Sequence, residues 1–372
     1  MSTRTVAPGV TYRRAVVNRG PWRINVLEID LRQPGLSIRG VKAKDSFVGR
    51  ETVSSMFGRY GGPGTAVAAI NADFFNIRTG ESENNVVIEG DLSKGVTVSD
   101  SPYDRFNTLH SQFGIDWKNH PYIDRFGLTA KLVQRGRSAN LDGINFWPPD
   151  SNTIVLYTKA AGDSSPVDTA GRHATVLPLQ LVTQRGDTMV FRAAGSIQEG
   201  GRASLASGGL LAAGGARRNE LRTIGRRPGA LRVITGLKPG QRRLRTVVGG
   251  WPRIVHNGRS VAEYADIVEG TFPRFSAGRH PRSAVGISKD SATLYLVTVD
   301  GRRESDSGMS LVEMANAMLQ LGAYDAMNFD GGGSTTMVVE GKVVNRPSDQ
   351  AGERPVGSAL LVVIDSARAG KR

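Results

Sequence analysis

The apolar runs in this 372-residue chain are all short, and this restricts the structures it can form. The longest, such as residues 294–299 and 359–364, have the length of a β-strand. None is long enough to cross a bilayer as a helix, so no transmembrane helix is expected. The hydrophobic fraction of 39% is still sufficient for a folded core. A chain of this length forms two lobes or one elaborated domain.

The pattern of apolar and turn residues predicts an α+β fold. We expect a mixed β-sheet core with flanking helices, and strand-rich N-terminal and middle parts. Residues 1–60 are predicted to form an N-terminal strand-rich segment, and residues 61–372 the main domain. A Gly- and Arg-rich region near residues 196–246 is predicted as an insertion. It could be a linker, but residues 231–234 and the following Pro239-Gly240 indicate a strand and a turn.

One helix has complete start and stop signals. Ser310 is a typical N-cap residue, and Glu313 three positions later completes a capping box. Gly322 ends the pattern, as glycine does at the C-terminus of many helices. The residues between them recur at helical spacing as one apolar stripe: Leu311, Met314, Ala315, Met318 and Leu319.

This helix lies between two predicted strands that both end in Asp-Gly. Residues 294–299 lead to Asp300, and residues 326–329 lead to Asp330. If the two strands share one parallel sheet, both carboxylates lie at the same edge of it. Further on, residues 337–344 predict a hairpin that turns at Glu340-Gly341.

Composition excludes several classes of site. Without cysteine, the chain has no disulfides, thiolate zinc sites or cysteine nucleophiles. The 48 Lys and Arg against 34 Asp and Glu give a formal charge of +14, which favours anionic partners such as phosphates, acidic polysaccharide or nucleic acid. Basic residues crowd between Arg217 and Arg245, but that segment has no aromatic residue on which single-stranded bases could stack.

The segment after the second strand is the strongest candidate site. Three consecutive glycines expose backbone N–H groups and allow positive φ, which suits an anion-binding concavity next to a carboxylate. A tight turn between strands is the alternative interpretation. The segment is neither a P-loop nor the nucleophile elbow of a hydrolase. Its candidate residues are Asn328, Asp330, Gly331, Gly332, Gly333 and Ser334.

Other polar residues at predicted strand ends or in loops are weaker candidates. Arg282 offers a planar fork that suits a phosphate. Taken singly, each of these residues is more often a cap, turn or surface residue. The five histidines show no zinc-motif spacing and no EF-hand loop is present, so no metal site is predicted. The set comprises Asn71, Asp73, His280, Arg282, Glu353 and Arg354.

Residues 280–364 resemble the phosphodiester glycosidase family in the order and spacing of several motifs. Weaker matches lie at residues 70–75, where Ala72 and Asp73 replace two glycines of the family pattern, and at residues 248–253. The main matches are His-Pro-Arg-Ser-Ala-Val-Gly at 280–286, Val-Asp-Gly-Arg at 299–302, Gly-Met-Ser-Leu at 308–311, Asn-Phe-Asp-Gly-Gly-Gly-Ser-Thr-Thr-Met at 328–337, Val-Asn-Arg-Pro-Ser-Asp at 344–349 and Glu-Arg-Pro-Val-Gly-Ser-Ala-Leu at 353–360.

The resemblance implies a hydrolase that cleaves the glycosidic C–O bond of a sugar-1-phosphodiester, for example an N-acetylglucosamine-1-phosphoryl group on a glycan or cell-envelope polymer. No cofactor is required for this chemistry. Asp330 and Asp300 are then the expected catalytic carboxylates, with Asp73 and Glu353 in reserve. The expected phosphate and substrate ligands are Arg282, Arg354, Asn71, His280, Asn328, Gly331, Gly332, Gly333 and Ser334.

Two other functions remain open at this stage. One is a non-catalytic binder of phosphorylated or acidic glycans, and the other is a nucleic-acid-binding protein. The second is disfavoured, since Asp330 would repel a nucleic-acid phosphate. The expected partner is a sugar phosphate or a polysaccharide, and the oligomeric state is not predicted. The resemblance favours a secreted or periplasmic protein whose signal peptide has been replaced by an initiator Met, with a cytoplasmic one as the alternative.

Overall fold

The chain folds predominantly into β-sheet, so the α+β prediction is wrong. The computed structural model describes residues 2–18, 20–97, 110–146, 152–165, 174–200, 203–240 and 243–365. Strands run through all of these ranges, and the longest helix has 11 residues. The reason is long-range pairing in the middle of the chain, where short Val-, Leu- and Thr-rich stretches form one extensive, largely antiparallel sheet rather than a sheet flanked by helices.

The strands have the following bounds in chain order: β1 Ser2–Ala7, β2 Val10–Val17, β3 Trp22–Asp30, β4 Leu36–Lys42, β5 Thr65–Asn71, β6 Val86–Ile88, β7 Asp91–Val96, β8 Gln112–Asp116, β9 Pro121–Asp124, β10 Gly127–Gln134, β11 Arg137–Leu141, β12 Gly143–Ile144, β13 Ile154–Thr158, β14 Thr175–Arg185, β15 Thr188–Ala193, β16 Gln198–Glu199, β17 Gly208–Ala213, β18 Leu231–Lys238, β19 Leu244–Gly249, β20 Arg253–His256, β21 Arg259–Ser260, β22 Arg282–Ser288, β23 Thr293–Val299, β24 Ala323–Asn328, β25 Met337–Val339, β26 Lys342–Val343 and β27 Ser358–Ile364. The α-helices are α1 Val53–Gly58, α2 Arg217–Gly225, α3 Ala265–Val268, α4 Pro273–Ser276 and α5 Leu311–Leu321. None of these helices has the length and apolarity that a membrane crossing requires.

Two sheets enclose the main core. The first has the strand order β1-β2-β3-β23-β22-β24-β20-β21, and the second has the order β26-β25-β5-β27-β4. Their facing side chains form one apolar cluster that includes Leu27, Ile70, Val285, Phe329 and Leu360. Each sheet therefore joins strands from both ends of the chain: β3 pairs with β23, and β4 pairs with β27.

The predicted helix is confirmed as α5, which packs on the outer face of the first sheet. The Ser310 side chain accepts from the Glu313 backbone, and the Glu313 side chain accepts from the Ser310 backbone in return. Gly322 follows in the left-handed conformation at φ 97°. The buried side of α5 contributes Leu311 and Met314 to a second apolar cluster.

Strands β23 and β24 do not pair with each other, since β22 lies between them and is antiparallel to both. The two strands therefore lie in an antiparallel part of the sheet rather than in a parallel one, although β23 and β24 run in the same direction. Asp300 and Asp330 consequently follow these strands at the same edge of the sheet. With one strand between them, their backbones are about 10 Å apart.

The third sheet has fourteen strands and comprises most of the middle of the chain, including the strands near residues 196–246. The strand predicted at residues 231–234 is confirmed as part of β18, which ends at Lys238, and the chain bends at Pro239-Gly240. Several arginines of this region have acidic partners: Arg217 pairs with Asp142, and both Arg218 and Arg222 pair with Glu199. Arg242, which the basic cluster also includes, lies outside the described residues.

Candidate active site

The candidate site begins where β24 ends and the chain turns through three glycines. The Asp330 N–H donates to the Ala72 carbonyl oxygen at 2.9 Å, and the Asn71 side chain donates to the Asp330 carbonyl oxygen at 2.7 Å. Asp330 is thus held at the junction of the two sheets of the main core. Gly331–Gly333, here called the glycine loop, then passes close to the start of β22. A Cβ atom on Gly331 would lie 2.6 Å from the Pro281 carbonyl oxygen.

Two guanidinium groups cover the other glycines of this loop. A Cβ atom on Gly332 would lie 2.8 Å from Nη2 of Arg302, and one on Gly333 would overlap the guanidinium of Arg354. Arg354 is held in place by Asp349, whose carboxylate accepts from its Nε at 2.6 Å. The run of glycines therefore removes the side chains that would keep these two arginines away from Asp330.

Two opposing influences act on the pKa of Asp330: burial raises it, and nearby hydrogen-bond donors and cations lower it. Burial raises the pKa of its carboxyl to about 6, against the opposing effects of the Ser334 hydroxyl, Arg354, the Gly331 amide and Arg302. A carboxyl with this pKa is largely ionised at neutral pH and still close to its titration range. Both features suit a group that activates water or attacks an electrophilic carbon.

Not all backbone donors of the glycine loop are available to a ligand. The Gly332 N–H donates to the Pro281 carbonyl oxygen at 2.9 Å, so that part of the predicted amide cradle is already occupied. The anion-binding capacity of the site therefore comes more from side chains than the three glycines suggested. Arg302 is a member of the site that the sequence did not predict, although it belongs to the Val-Asp-Gly-Arg motif at 299–302.

Arg302 has a conformation that sequence patterns rarely reveal. It is exposed and adopts φ 61°, a left-handed value that is uncommon for a residue with a side chain. The turn after Asp300 requires this value, and it directs the side chain towards the glycine loop rather than along the strand. Strain of this kind is most often retained where it serves a function.

Arg282 is buried and held by backbone carbonyls instead of carboxylates. Its Nε donates to the Met309 oxygen at 2.9 Å, and its Nη2 donates to the oxygens of Phe275 and Gly278 at 2.6 and 3.1 Å. Burial lowers the pKa of its guanidinium to about 10. Arg282 therefore organises the segment before β22 and adds positive charge to this side of the site.

His280 lies in the same basic surroundings. Its Nε2 is 3.1 Å from the Arg274 carbonyl oxygen. Burial lowers its pKa, and the charges of Arg282, Arg302 and Arg274 lower it further. A neutral His280 beside three arginines leaves the local charge strongly positive, which favours an anionic ligand.

Asp300 lies in a different cluster of charges from Asp330. One of its oxygens accepts from the Arg346 backbone N–H at 3.0 Å, and the other lies 3.7 Å from Nε of Arg23. Burial raises its pKa to about 6, and the neighbouring Asp306 adds to this effect. Although both aspartates follow strands at one sheet edge, the structure does not combine them into one carboxylate pair.

Asp73 is buried and follows Ala72, whose carbonyl oxygen accepts from the Asp330 N–H. Its two carboxylate oxygens accept from the side chain and the backbone N–H of Asn84, at 2.9 and 3.2 Å. Burial raises its pKa to about 7. Gly249 packs so closely on this carboxylate that a Cβ atom there would overlap it. Asp73 therefore fixes the loop that carries Asn84, and no open face of it is evident.

Glu353 is engaged at the start of a helix rather than in the cluster around Asp330. Its carboxylate accepts from the backbone N–H and the hydroxyl of Ser54, at 2.8 and 2.5 Å, in the first turn of α1. The structure therefore places Glu353 as a helix-capping partner, although the neighbouring Arg354 reaches the glycine loop.

Asn328 and the residues around it form an aromatic wall beside the site. The Asn328 side chain donates to the Trp251 and Phe329 carbonyl oxygens at 2.7 and 2.6 Å. The Trp251 ring stacks on Phe275 with centroids 4.7 Å apart, and Phe275 in turn lies 4.8 Å beneath the Arg282 guanidinium. Asn328 thus positions this wall through its two donors, whereas its buried Oδ1 has no hydrogen-bond partner among the described residues.

Metal-ligand groupings are not found at the site. Among the described residues, no three or more His, Asp or Glu side chains converge in a way that could hold a metal ion. Around the glycine loop, the described residues place one carboxyl beside two exposed or half-buried guanidinium groups. Fold and site together define a mostly-β protein with a carboxyl beside a cluster of guanidinium groups.

Comparison with known proteins relates this chain to one family. A protein-family model described as phosphodiester glycosidase matches residues 182–363. This match confirms the resemblance to the phosphodiester glycosidase family. The uncharacterized SPbeta prophage-derived protein YomE of Bacillus subtilis is 42% identical over 84 residues, 23% of this chain and 13% of that protein. The N-acetylglucosamine-1-phosphodiester alpha-N-acetylglucosaminidase of Bos taurus is 41% identical over 80 residues, 22% of this chain and 15% of the relative.

The sequence and structural similarities each cover only part of the relative's own length. This chain spans less than a third of the length of each curated relative it matches. A crystal structure of a hypothetical protein from Synechocystis covers 97% of this chain with a TM-score of 0.75 and 22% identity, while this chain covers 63% of it. At that identity, the likeness shows a shared fold.

Proposed function

We propose that this protein hydrolyses the glycosidic C–O bond of a sugar-1-phosphodiester. The observation that carries the proposal is the pair of guanidinium groups, from Arg302 and Arg354, packed over the glycine loop beside the Asp330 carboxyl. A neutral glycoside has no use for two cations at the scissile bond. A phosphodiester does, because its charge must be bound and partly neutralised before a carboxylate can approach.

The leaving group explains why one carboxyl can be sufficient. The phosphate monoester that departs is already a weak base, so it needs less protonation than a sugar alkoxide. The remaining tasks are to hold the phosphate and to stabilise positive charge at the anomeric carbon. We assign the first to Arg302 and Arg354, supported by the positive charge of Arg282.

Asp330 is assigned the reactive role. As a carboxylate, it either takes a proton from the attacking water or bonds to the anomeric carbon and forms an intermediate that water then hydrolyses. In both routes the C–O bond breaks and the phosphate monoester leaves with the bonding pair. Asp300 is assigned an orienting role, because it binds the backbone of Arg346 in the loop that leads to Arg354.

The test is hydrolysis of a panel of sugar-1-phosphodiesters in ¹⁸O-labelled water, followed by mass spectrometry. The name of the bovine relative makes an N-acetylglucosamine-1-phosphodiester the first substrate to try. Label on the released sugar is expected and would establish cleavage of the C–O bond. Label on the phosphate would make the protein a phosphodiesterase, and binding without any product would support a non-catalytic binder of phosphorylated or acidic glycans.

A further inference from the structure

The fourteen-stranded sheet contains an open groove of about 1300 Å³. The sheet curls so that β7 lies near β10, and its apolar interior includes Leu132, Leu156 and Phe191. The groove is lined mainly by residues of β6, β7, β14, β15 and β18 and of the turns next to them. All its lining residues lie between positions 87 and 244, so it shares none with the Asp330 site.

A tryptophan at the rim of the groove is unusually exposed. Trp117 has 54% of its surface accessible, although residues of this type are usually mostly buried. Further apolar surface is exposed close by, at Leu181 in the groove lining and at Val182 next to it in β14. An exposed aromatic ring beside a large groove is a typical feature of a binding surface.

The turn that carries Trp117 is rigid. The Asp116 carboxylate accepts from the backbone N–H groups of Lys118 and His120, at 2.8 and 2.9 Å. The Asn119 side chain donates to the Leu36 carbonyl oxygen at 2.5 Å and accepts from Arg245 at 2.7 Å. The backbone on either side of Trp117 is thus held in place, which reduces the conformational entropy that would be lost when a ligand binds.

The underside of the ring is supported as well. The Arg245 guanidinium lies 5.8 Å from the centroid of the Trp117 ring. A Cβ atom on Gly90 would lie 3.1 Å from the edge of the ring, so the absence of a side chain there lets the backbone approach. The ring therefore has a packed side and a side that faces solvent.

The polar lining of the groove is balanced in charge. It contains three acidic residues, Glu89, Asp91 and Asp187, and three basic ones, Lys159, Lys238 and Arg243. This balance contrasts with the formal charge of +14 for the whole chain. A polyanion would gain little electrostatic binding free energy in this groove, whereas a ligand with many hydroxyl groups would find both hydrogen-bond acceptors and donors.

We propose that this groove binds a neutral oligosaccharide, with Trp117 stacked on the apolar C–H face of one sugar ring. Asp187, together with Gln184 and Asp91, which are joined by a 3.0 Å hydrogen bond, then binds hydroxyl groups of neighbouring rings. The volume exceeds the roughly 1,000 Å³ of ordinary small-molecule pockets, so it suits several linked rings rather than a single sugar. This site is separate from the proposed hydrolytic function and does not depend on it.

Isothermal titration calorimetry on the full chain carrying Asp330→Asn tests the proposal without any contribution from turnover. The probes are the neutral hexasaccharides of β-1,4-linked glucose, β-1,4-linked N-acetylglucosamine and α-1,4-linked glucose, and a heparin hexasaccharide as the anionic comparison. At least one neutral probe is expected to bind with a submillimolar Kd that salt does not change. Trp117→Ala should weaken it at least tenfold, and Tyr264→Ala, a similarly exposed aromatic outside the groove, should not.

A second measurement keeps the test valid if the alanine variant does not fold. The emission of Trp117, taken as the difference between the parent and Trp117→Phe, should shift and saturate with the calorimetric Kd. The proposal is overturned if no neutral probe binds, if Trp117→Ala binds as tightly as the parent, or if only heparin binds and salt abolishes the binding. It is also overturned if binding occurs without any change in Trp117 emission. Failure of hydrolysis in ¹⁸O-water would leave these outcomes unaffected.

Discussion

The side chain of Asn71 holds the backbone of Asp330, 259 residues further along the chain: its Nδ2 donates to the Asp330 carbonyl oxygen at 2.7 Å. The Asn71 Oδ1 accepts from the Ser283 hydroxyl at 2.7 Å and from the Thr336 N–H at 3.1 Å. One buried amide therefore joins the end of β5 to the glycine loop and to β22. Sequence analysis assigned Asn71 to substrate binding, but its hydrogen-bonding groups are used within the protein.

Asn71→Ala is expected to lower the free energy of unfolding by about 2–4 kcal/mol, because it leaves several buried polar groups without partners. Chemical denaturation of the variant and the parent measures the difference. Asn219→Ala, an exposed position on α2, serves as the control and should change stability by less than about 0.5 kcal/mol. Equal stability of Asn71→Ala and the parent would contradict the assigned role.

Arg302→Ala is expected to reduce kcat/KM for a sugar-1-phosphodiester by about 10²–10³-fold, because it removes one charge that stabilises the transition state. Its melting temperature should stay close to that of the parent, since Arg302 is exposed. Steady-state kinetics on Arg302→Ala and on the neighbouring Arg303→Ala make the comparison. A similar loss in both variants would show a general effect of charge rather than a specific contact.

Gly333→Ala tests the packing of Arg354 on the glycine loop. Gly333 does not have a positive φ, so the added methyl group acts by displacing the guanidinium rather than by straining the backbone. We expect kcat/KM to fall about tenfold, mainly through KM, because phosphate binding weakens. Gly58→Ala, in α1 and with open space around it, should keep full activity and gain about 0.5–1 kcal/mol of stability. An unchanged KM for Gly333→Ala would separate Arg354 from substrate binding.

Asp330→Asn should abolish hydrolysis and stabilise the protein at high pH. Burial raises the pKa of Asp330 from 3.8 to about 6, so between these values the folded state binds more protons than the unfolded state. Stability from this group therefore falls as pH rises through that window. The free energy of unfolding of the variant should exceed that of the parent by on the order of 2 kcal/mol at pH 8, and this difference should vanish near pH 4.

The same ionisation sets the expected pH dependence of activity. If the carboxylate form of Asp330 reacts, kcat/KM of the parent should increase as the pH rises, with an apparent pKa near 6. Thermal melts and initial rates across pH 4–9 provide both measurements. An active Asp330→Asn variant, or equal stability of variant and parent at every pH, would remove Asp330 from its assigned role.

Glu353→Ala separates helix capping from catalysis. The variant loses the contacts to Ser54 at the start of α1 and should be less stable by about 1 kcal/mol. Its kcat/KM should stay within a few-fold of the parent. A loss of more than a hundredfold at unchanged stability would instead assign Glu353 to the catalytic carboxylates.

Local sequence signals determined the parts of this protein that depend on neighbours in the chain. The capping box of Ser310 and Glu313 predicted α5, because each residue bonds to the backbone of the other within one turn. The turn at Glu340-Gly341 predicted the β25–β26 hairpin, and both residues do adopt positive φ. The glycine loop and its neighbouring Asp330 were likewise evident from consecutive residues.

Tertiary structure decided which distant groups meet. The choice between an α+β and a mostly-β fold depended on strand pairings across the whole chain, such as β4 with β27, which short-range periodicity does not specify. The separation of Asp300 from Asp330 depended on β22 lying between their strands. Arg302 and Arg354 converge on the glycine loop only because the sheets bring their turns together. The sequence itself determined which chemical groups are present and where the chain turns locally. The site depends on contacts between residues that are distant in the sequence, and these contacts form only when the chain is folded.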